Sequence, residues 1–258
     1  MAARRFSLQA DVALSPDQEF QDHLARISFS DGQSPDEAEI ALFKAIQSRR
    51  TDRSAYFLEV LPSDLTEACC DIANGVDVDV QFFEDGEAIE TIADLVTTGD
   101  REQFDDPAFR RELAAWVHSF RFGSRDGMSG AGFGMPDVLA PAARFVIRTF
   151  DLGNQVAAAD QKKILAGSPA LTLFSSKSDT VEDWINTGRA LAKTLLKLTS
   201  VGYSASYLNQ PIEVAALRLK LAEASGVSGH PQVLLRVGRS ADSPEPSARR
   251  MVSDVILT

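Results

Sequence analysis

Three arginines lie close together in the stretch AIQSRRTDRSAYF, which covers residues 45–57. They are Arg49, Arg50 and Arg53, and the hydroxyl of Thr51 stands between them as a further hydrogen-bond donor. Guanidinium groups bind phosphate through paired, charge-assisted hydrogen bonds that contribute about 1.5–3 kcal/mol each. The residue types and their spacing therefore indicate a binding site for a phosphorylated ligand at the end of an apolar helix pattern.

A second basic pair, Arg249 and Arg250, lies in the last ten residues of the sequence. Two such clusters in one chain could neutralise the phosphate of one ligand. The same arginines could instead pair with some of the 37 carboxylates of the chain, or interact with the C-terminal end of a helix, where cations are favoured. The residues themselves leave both interpretations open.

The overall charge makes these basic clusters more informative. The 258 residues include 26 Lys and Arg against 37 Asp and Glu, a formal net charge of -11. So acidic a chain repels polyanions, and the composition argues against a nucleic-acid or membrane-surface binder. No apolar run approaches the roughly 20 residues that cross a bilayer. The N-terminal stretch is a poor signal peptide because Gln9 and Asp11 interrupt it, so the sequence predicts a cytoplasmic protein.

The cysteines and histidines predict no metal site. The two cysteines, Cys69 and Cys70, are adjacent, and a disulfide between helical neighbours would be strained. We interpret them as two small residues on or beside a buried helix face. His23, His118 and His230 are isolated and offer no ligand spacing.

Apolar periodicity predicts intermixed helices and strands. Residues 1–40 are rich in polar turn residues and are predicted as a lead-in, followed by a single domain over 41–258. Helices are predicted over 41–49, from an N-cap at Ser63, over 85–98 and 107–118, from a capping box of Asp179 and Glu182, and over 210–226. Strands are predicted over 76–83, 169–177 and 231–238. Because no regular βαβ repeat connects these elements, the fold class is predicted to be α+β.

The longest predicted helix carries an apolar stripe at steps of four and three. This pattern predicts a central packed helix, which could also lie at a subunit interface. The residues of the stripe are Trp184, Gly188, Leu191, Leu195 and Leu198.

The stretch from Gly123 to Pro141 is rich in glycine and proline and is predicted to be a mobile surface loop or lid. Its GAGFG sequence does not fit a phosphate loop, because no strand leads into it and Pro136 follows it.

The arginine stretch resembles the N-terminal signature of the nitroreductase family of FMN-dependent enzymes, in which an I-x-x-R-R-[ST]-x-R-x-F pattern holds the flavin phosphate. Two further stretches occur in the order expected of that family. NTGRALAKTLLKLTSVGYSASYLNQPIEV resembles its interface helix and P-I-E-G flavin contact, and HPQVLLRVGRSADSPEPSARRMVSDV resembles its last core strand and C-terminal basic residues. The likeness is closer still to the C-terminal half of the Acg-like branch, in which two halves of one chain mimic the usual homodimer.

This resemblance implies a nitroreductase-like fold, a central mixed sheet flanked by helices with one long interface helix, and FMN as the cofactor. The residues that would hold the phosphate are Arg49, Thr51 and Arg53, with Arg50 beside them and Arg249 or Arg250 closing the other side. The residues that would lie against the isoalloxazine are Pro211, Ile212 and Glu213, with backbone N–H groups free at a helix start to approach flavin N5. Val214 replaces the glycine that usually follows the glutamate.

One segment of the family is missing. Ordinary members carry a P-S-x-x-N-x-Q-P-W-like segment that reaches the flavin of the partner subunit, but between Phe57 and Val76 this chain has only LEVLPSDLTEACCDIANG. The chain therefore resembles the C-terminal half of a double-length protein, with half of the flavin cage missing. We expect FMN to be weakly bound or absent.

The resemblance implies an oxidoreductase that transfers hydride from NAD(P)H to nitroaromatic or quinone-type acceptors and forms a homodimer. No side chain is assigned as a catalytic acid or base. Two alternatives from other classes stay open: a non-catalytic flavin-binding or flavin-sequestering protein, and a vestigial fold that serves as an interaction domain.

Overall fold

The computed structural model describes residues 2–14, 23–119, 126–128, 136–241 and 250–256. The described helices are α1 (Glu37–Ser48), α2 (Ser63–Asn74), α3 (Gly86–Asp105), α4 (Pro107–Trp116), α5 (Ala140–Thr149), α6 (Gly153–Gly167), α7 (Val181–Ser200), α8 (Gln210–Glu213) and α9 (Ala215–Ser225). The described strands are β1 (Leu8–Leu14), β2 (Ala25–Asp31), β3 (Val78–Phe83), β4 (Ala170–Ser176), β5 (Ser204–Tyr207) and β6 (His230–Gly238).

Four strands form the central sheet in the order β3–β4–β6–β5, and each neighbouring pair is antiparallel. A parallel bridge between Thr51 and Ala205 adds a short segment beside β5, so the sheet is mixed, as predicted. Strand β4 is buried along its whole length because it lies inside the sheet and is covered on both faces.

Alternation along β4 divides the core into two apolar layers. Ala170 and Phe174 belong to a cluster that includes side chains of α2 and α7. Leu171 and Leu173 belong to a second cluster, built with α3, α6 and α9. Helices therefore cover both faces of one mostly antiparallel sheet, which is the predicted α+β architecture.

The predicted strands all occur, with small shifts at their ends, but several helices differ from the prediction. α3 continues past residue 98 to Asp105. Ser63 is the first residue of α2 rather than its N-cap, which is Pro62. The sequence-based prediction missed α5, α6, β5 and the pair β1–β2.

Strands β1 and β2 form an antiparallel hairpin within the region that the sequence predicts as polar turns. Its register pairs Val12 with Ile27 and Ala10 with Phe29, so these four apolar residues share one face. Three of them, Val12, Ile27 and Phe29, are exposed. The division into a lead-in over 1–40 and a domain over 41–258 stays a prediction.

The predicted helix over 210–226 is two helices. Val214 separates them, because its φ of -93° and ψ of 105° are extended rather than helical. These angles are open to any L-residue, so the turn between α8 and α9 does not require the glycine that the nitroreductase resemblance would place here.

Helix α3 holds α8 at both ends. The Nε2 amide of Gln210 donates to Oδ1 of Asp100 over 3.0 Å, and Nε2 of Gln103 donates to Oε2 of Glu213 over 2.6 Å. The two helices are so close that a Cβ at Gly99 would lie 2.7 Å from Cβ of Gln210. The position of the short helix α8 therefore depends on α3.

Asp100 is a buried acid, since only 2% of it is exposed. Burial raises its pKa to about 7, the nearby charge of Asp160 adds to this rise, and the hydrogen bond from Gln210 opposes it. Oδ2 of Asp100 and Oε1 of Gln210 are both buried without a hydrogen-bond partner among the described residues. A proton on Asp100 removes the cost of burying a charge there.

The start of α7 is fixed by Thr180. Its Oγ1 accepts a hydrogen bond from the backbone N–H of Asp183 over 3.3 Å, and Oδ2 of Asp183 accepts from the N–H of Thr180 over 3.0 Å. The predicted capping box of Asp179 and Glu182 is therefore wrong by one residue. Asp179 instead pairs with Arg218, whose Nη1 lies 2.7 Å from its Oδ2.

Replacing Thr180 by alanine should lower the free energy of unfolding by about 1 kcal/mol, because the helix loses its N-cap. The matched control is Glu182→Ala in the first turn, which should stay within about 0.5 kcal/mol of the parent chain. Urea denaturation measures both values, and a larger loss in the control would contradict the observed cap.

The contribution of Asp100 to the free energy of unfolding should fall as the pH rises from about 4 to about 7, because folded Asp100 binds its proton more tightly than unfolded Asp, whose pKa is about 3.9. Asp100→Asn keeps the shape and the neutrality of the protonated acid. We expect the variant to gain about 1–3 kcal/mol at pH 8 and little at pH 4.

Urea denaturation at pH 4, 6 and 8 tests this expectation, with Glu102→Gln, an exposed carboxylate on the same helix, as the control. A pH profile of Asp100→Asn that is parallel to that of the parent chain would show that Asp100 is charged in the folded state.

Candidate functional site

Residues 49–57, called the basic segment below, follow α1 directly and run along the edge of the central sheet. Arg49 is extended, with φ -61° and ψ 129°, and its N–H still donates to the carbonyl of Ala45 over 2.8 Å. Thr51 bridges to Ala205 in β5, and the N–H of Asp52 donates to the carbonyl of Ala205 over 3.1 Å. The helix end and the sheet edge therefore fix the backbone on which the predicted phosphate-binding residues stand.

An apolar groove of about 330 Å³ opens beside the first arginine, between α1, α7 and β5. Ile46, Leu191, Leu195 and Tyr207 line it, and Arg49 contributes a charged side chain. An apolar groove with a guanidinium in its wall has the chemistry to accept a flat apolar ligand that carries an anionic group.

The arginines of the segment differ in their surroundings. Within the described part of the chain, neither Arg49 nor Arg53 has a carboxylate within 4.0 Å, and Arg53 is exposed. Arg50 is engaged with another group. The alternative that the cluster pairs with carboxylates of its own chain therefore finds no support at Arg49 and Arg53.

The second basic pair is only partly described. Nη2 of Arg250 lies 2.6 Å from Oδ2 of Asp126, and its Nε donates to Oδ1 of the same carboxylate over 2.8 Å. Arg249 lies outside the described residues. Most of the predicted lid from Gly123 to Pro141 also lies outside them, including the whole of GAGFG. Arg250 is thus engaged with an acid of its own chain.

The predicted ring-binding residues lie in α8. Pro211 has no N–H group, and the N–H groups of Ile212 and Glu213 both donate to the carbonyl of Asn209, over 2.8 and 2.9 Å. The expectation that these amides are free is therefore wrong. The carboxylate of Glu213 faces Gln103 of α3, and none of the three residues lines the groove beside Arg49.

Three buried residues, two within the basic segment and one beneath it, are not among the site residues predicted from the sequence. They are Asp52, Tyr56 and Arg236, each less than 5% exposed. The Tyr56 hydroxyl donates to the carbonyl of Asp52 over 2.6 Å, and Cζ of Arg236 lies 4.4 Å from the Tyr56 ring centroid. Burial is the main cause that raises the pKa of Tyr56 and lowers that of Arg236. The signal for this cluster in the sequence is an arginine inside the mostly apolar stretch PQVLLRVG.

The described ranges contain no residues that would form a metal site or a membrane span. They contain no group of three His, Cys, Asp or Glu side chains that could hold a metal ion. None of their helices is both long enough and apolar enough to cross a membrane. Cys69 and Cys70 are free thiols, the first fully buried and the second half-buried, in the positions that the sequence predicts.

Comparison with known proteins gives relatives across nearly the whole chain, although no family model matches. The chain is 31% identical over 255 residues to the "Putative NAD(P)H nitroreductase Rv3131" of Mycobacterium tuberculosis, which covers 96% of this chain and 70% of that protein. A second protein of that organism, "Uncharacterized protein Rv3127", is 27% identical over 268 residues, with 96% and 71% covered.

Two solved structures share the fold. The FMN-dependent nitroreductase NfnB from Mycobacterium smegmatis, solved in complex with NADPH, superposes with a TM-score of 0.57 at 15% identity and covers 86% of this chain and 99% of that one. An iodotyrosine deiodinase bound to FMN and 3-iodo-L-tyrosine gives a TM-score of 0.53 at 16% identity, with 84% and 97% covered.

The predicted nitroreductase-like α+β fold is thereby confirmed, whereas the Acg-like branch stays a prediction. An identity above 30% that extends over 96% of the sequence, on a chain with this fold, shows that the protein belongs to the nitroreductase family.

Proposed function

We propose that the chain binds FMN and acts as an NAD(P)H-dependent oxidoreductase that passes hydride to nitroaromatic or quinone-type acceptors. The observation that carries the proposal is the pair Arg49 and Arg53, which have no carboxylate partner among the described residues and stand on one fixed segment beside an apolar groove. Membership of the nitroreductase family and the fold shared with an FMN-dependent enzyme solved with NADPH support it.

The residues present fit a flavin phosphate. At neutral pH a phosphate monoester carries nearly two negative charges, and Arg49 and Arg53 supply two guanidinium groups that can pair with it. Thr51 adds a hydroxyl donor between them, and Arg50 adds further positive charge. Arg249 or Arg250 would approach from the C-terminal side, which for Arg250 requires exchange of the Asp126 carboxylate for the phosphate.

The chain's own contribution is binding and orientation. The arginine segment would hold the phosphate. The family resemblance would place Pro211, Ile212 and Glu213 against the ring, although none of them lines the groove beside Arg49. FMN, when bound, supplies the hydride-transfer chemistry itself. No side chain is proposed as a general acid or base.

We propose further that the chain forms a C₂ homodimer through α7. Leu195 and Leu198 of its apolar stripe are buried within the chain, but Trp184 is 52% exposed and a Cβ at Gly188 would meet only open space. An exposed apolar helix face of this kind is typical of an interface between subunits. Gly188 also lines the groove beside Arg49, so the proposed interface would border the proposed ligand site.

A second candidate is favoured because the stretch between Phe57 and Val76 carries no P-S-x-x-N-x-Q-P-W-like segment. A flavin site without that segment should hold FMN weakly and turn over slowly. A chain that holds flavin without turnover would be a flavin-binding or flavin-sequestering protein. NAD(P)H oxidation with a quinone acceptor, measured at saturating FMN, separates this candidate from the enzyme.

Replacing Arg49 and Arg53 together by alanine should weaken FMN binding by several kcal/mol, because two charge-assisted contacts to the phosphate are lost at about 1.5–3 kcal/mol each. Fluorescence titration of the apo chain with FMN measures the loss. The apo melting temperature should hardly change, since substitutions at such surface positions stay within about 0.5 kcal/mol.

The matched control is Arg26→Ala with Arg111→Ala, which removes two exposed arginines elsewhere in the chain. Equal FMN affinity in the site variant and this control would reject the phosphate site. A chain that binds no FMN at all would leave the vestigial interaction domain as the remaining candidate.

Gly188→Lys should weaken the dimer by at least about tenfold, because it buries an unpaired charge in the α7 interface. Folding of the subunit should be retained, since the new side chain meets open space within its own chain. Sedimentation equilibrium of the apo chain checks the dissociation constant. The control, Asn74→Lys on the exposed surface of α2, adds the same charge elsewhere, and a monomeric parent chain would refute the dimer.

A further inference from the structure

The inner side of the basic segment contacts a buried, positively charged side chain. Arg236 lies in the central strand β6 and is 1% exposed. A buried charge is costly unless other groups compensate it. The groups around its guanidinium therefore show what this arginine does in the fold.

Those groups belong largely to the basic segment and to the end of α6. The guanidinium stacks on the Tyr56 ring, with Cζ 4.4 Å from the centroid. Its Nη2 lies 3.4 Å from the carbonyl oxygen of Asp52, and its Nη1 lies 3.4 Å from that of Gly167. The same two carbonyl oxygens accept from the segment itself: that of Asp52 from the Tyr56 hydroxyl, and that of Gly167 from the Tyr56 N–H over 2.9 Å. Arg236 therefore contacts the same two carbonyl oxygens that accept hydrogen bonds from Tyr56.

The basic segment packs closely against both β6 and the end of α6. A Cβ at Gly238 would lie 2.7 Å from Cβ of Tyr56, and a Cβ at Gly167 would lie 3.0 Å from Cβ of Ala55. The carboxylate of Asp52 faces inward as well, with Oδ1 accepting from the N–H and the hydroxyl of Ser54 over 2.9 and 2.6 Å. The turn that presents Arg53 to solvent is thus fixed on its inner side.

The groups that shift the pKa of Arg236 are largely those that contact its guanidinium. Burial lowers the pKa of Arg236, while the charges of Tyr56 and Asp52 oppose that shift and the charge of Arg53 adds to it. Because Arg236 is buried, it does not itself reach a ligand at the surface. Its influence on a bound phosphate passes through the backbone of the segment that carries Thr51 and Arg53.

We infer that Arg236 and Tyr56 are positioning residues for the phosphate site, which hold Thr51 and Arg53 in the geometry that a phosphate requires. This inference rests on the proposed FMN function. A positioning role predicts a specific loss: the part of the affinity that comes from the phosphate falls, and the part that comes from the flavin ring does not. Riboflavin has the same ring without the phosphate, so the ratio of its dissociation constant to that of FMN measures the phosphate contribution alone.

The test compares Arg236→Met and Tyr56→Phe with the parent chain in fluorescence titrations with FMN and riboflavin. The methionine keeps the apolar bulk and removes the charge, and the phenylalanine removes only the hydroxyl that donates to Asp52. We expect the ratio to fall about tenfold or more in Arg236→Met and about threefold in Tyr56→Phe, with riboflavin affinity little changed in both.

Leu234→Ala is the control for general loss of stability, because Leu234 is fully buried in the same strand. Its melting temperature should fall while its ratio stays that of the parent chain. The inference is overturned if the ratio is unchanged in Tyr56→Phe, or if it falls equally in Leu234→Ala. Tyr56→Phe decides the outcome alone if Arg236→Met does not fold.

The double variant Arg49→Ala with Arg53→Ala separates the proposed FMN function from the positioning role of Arg236 and Tyr56. If it loses the phosphate contribution and the two positioning variants keep it, the proposed function stands and the inference fails. If the parent chain binds FMN no better than riboflavin, both fail together.

Discussion

The attachment of residues 51–57 to the central sheet is the constraint on which the site depends. Backbone N–H groups of this short segment donate hydrogen bonds to three elements: the edge strand β5, the end of α6, and the residues that follow β6. It also covers the guanidinium of Arg236 with an aromatic ring. Because these elements belong to separate parts of the sequence, the basic segment takes its shape only when the sheet and α6 are assembled. The ligand binding proposed for this segment would therefore depend on the whole domain rather than on a local motif.

Periodic patterns account for most of what the sequence predicts correctly. The three predicted strands are long apolar or alternating runs, and the arginine cluster is visible because it stands out in an acidic chain. The hairpin of β1 and β2 was missed because polar turn residues surround it and its apolar face packs on no large core. The split at Val214 was missed because the apolar pattern of 210–226 continues through a residue that the fold holds extended.

The buried polar residues show a different limit. Arg236 is far from Asp52 and Tyr56 in the sequence, and only the antiparallel sheet and the return of the chain after α1 bring it to them. Asp100 shows the same limit, because its partner Gln210 lies on a helix that packs against it from another part of the chain. A single sequence gives the residue type at each position but not the partner. For that reason the predicted site contained the outward arginines and none of the residues that hold them.

The exposure of Trp184 also bears on the spectroscopy of the protein. The chain has two tryptophans, and both indoles are about half exposed, Trp116 at 53% and Trp184 at 52%. Both stand at the surface rather than in the apolar core, Trp184 on α7 and Trp116 at the end of α4. We therefore expect the intrinsic fluorescence of the folded chain to report mainly on these two surfaces. A shift of its emission maximum toward shorter wavelength would indicate that the surface of α4 or α7 has become covered.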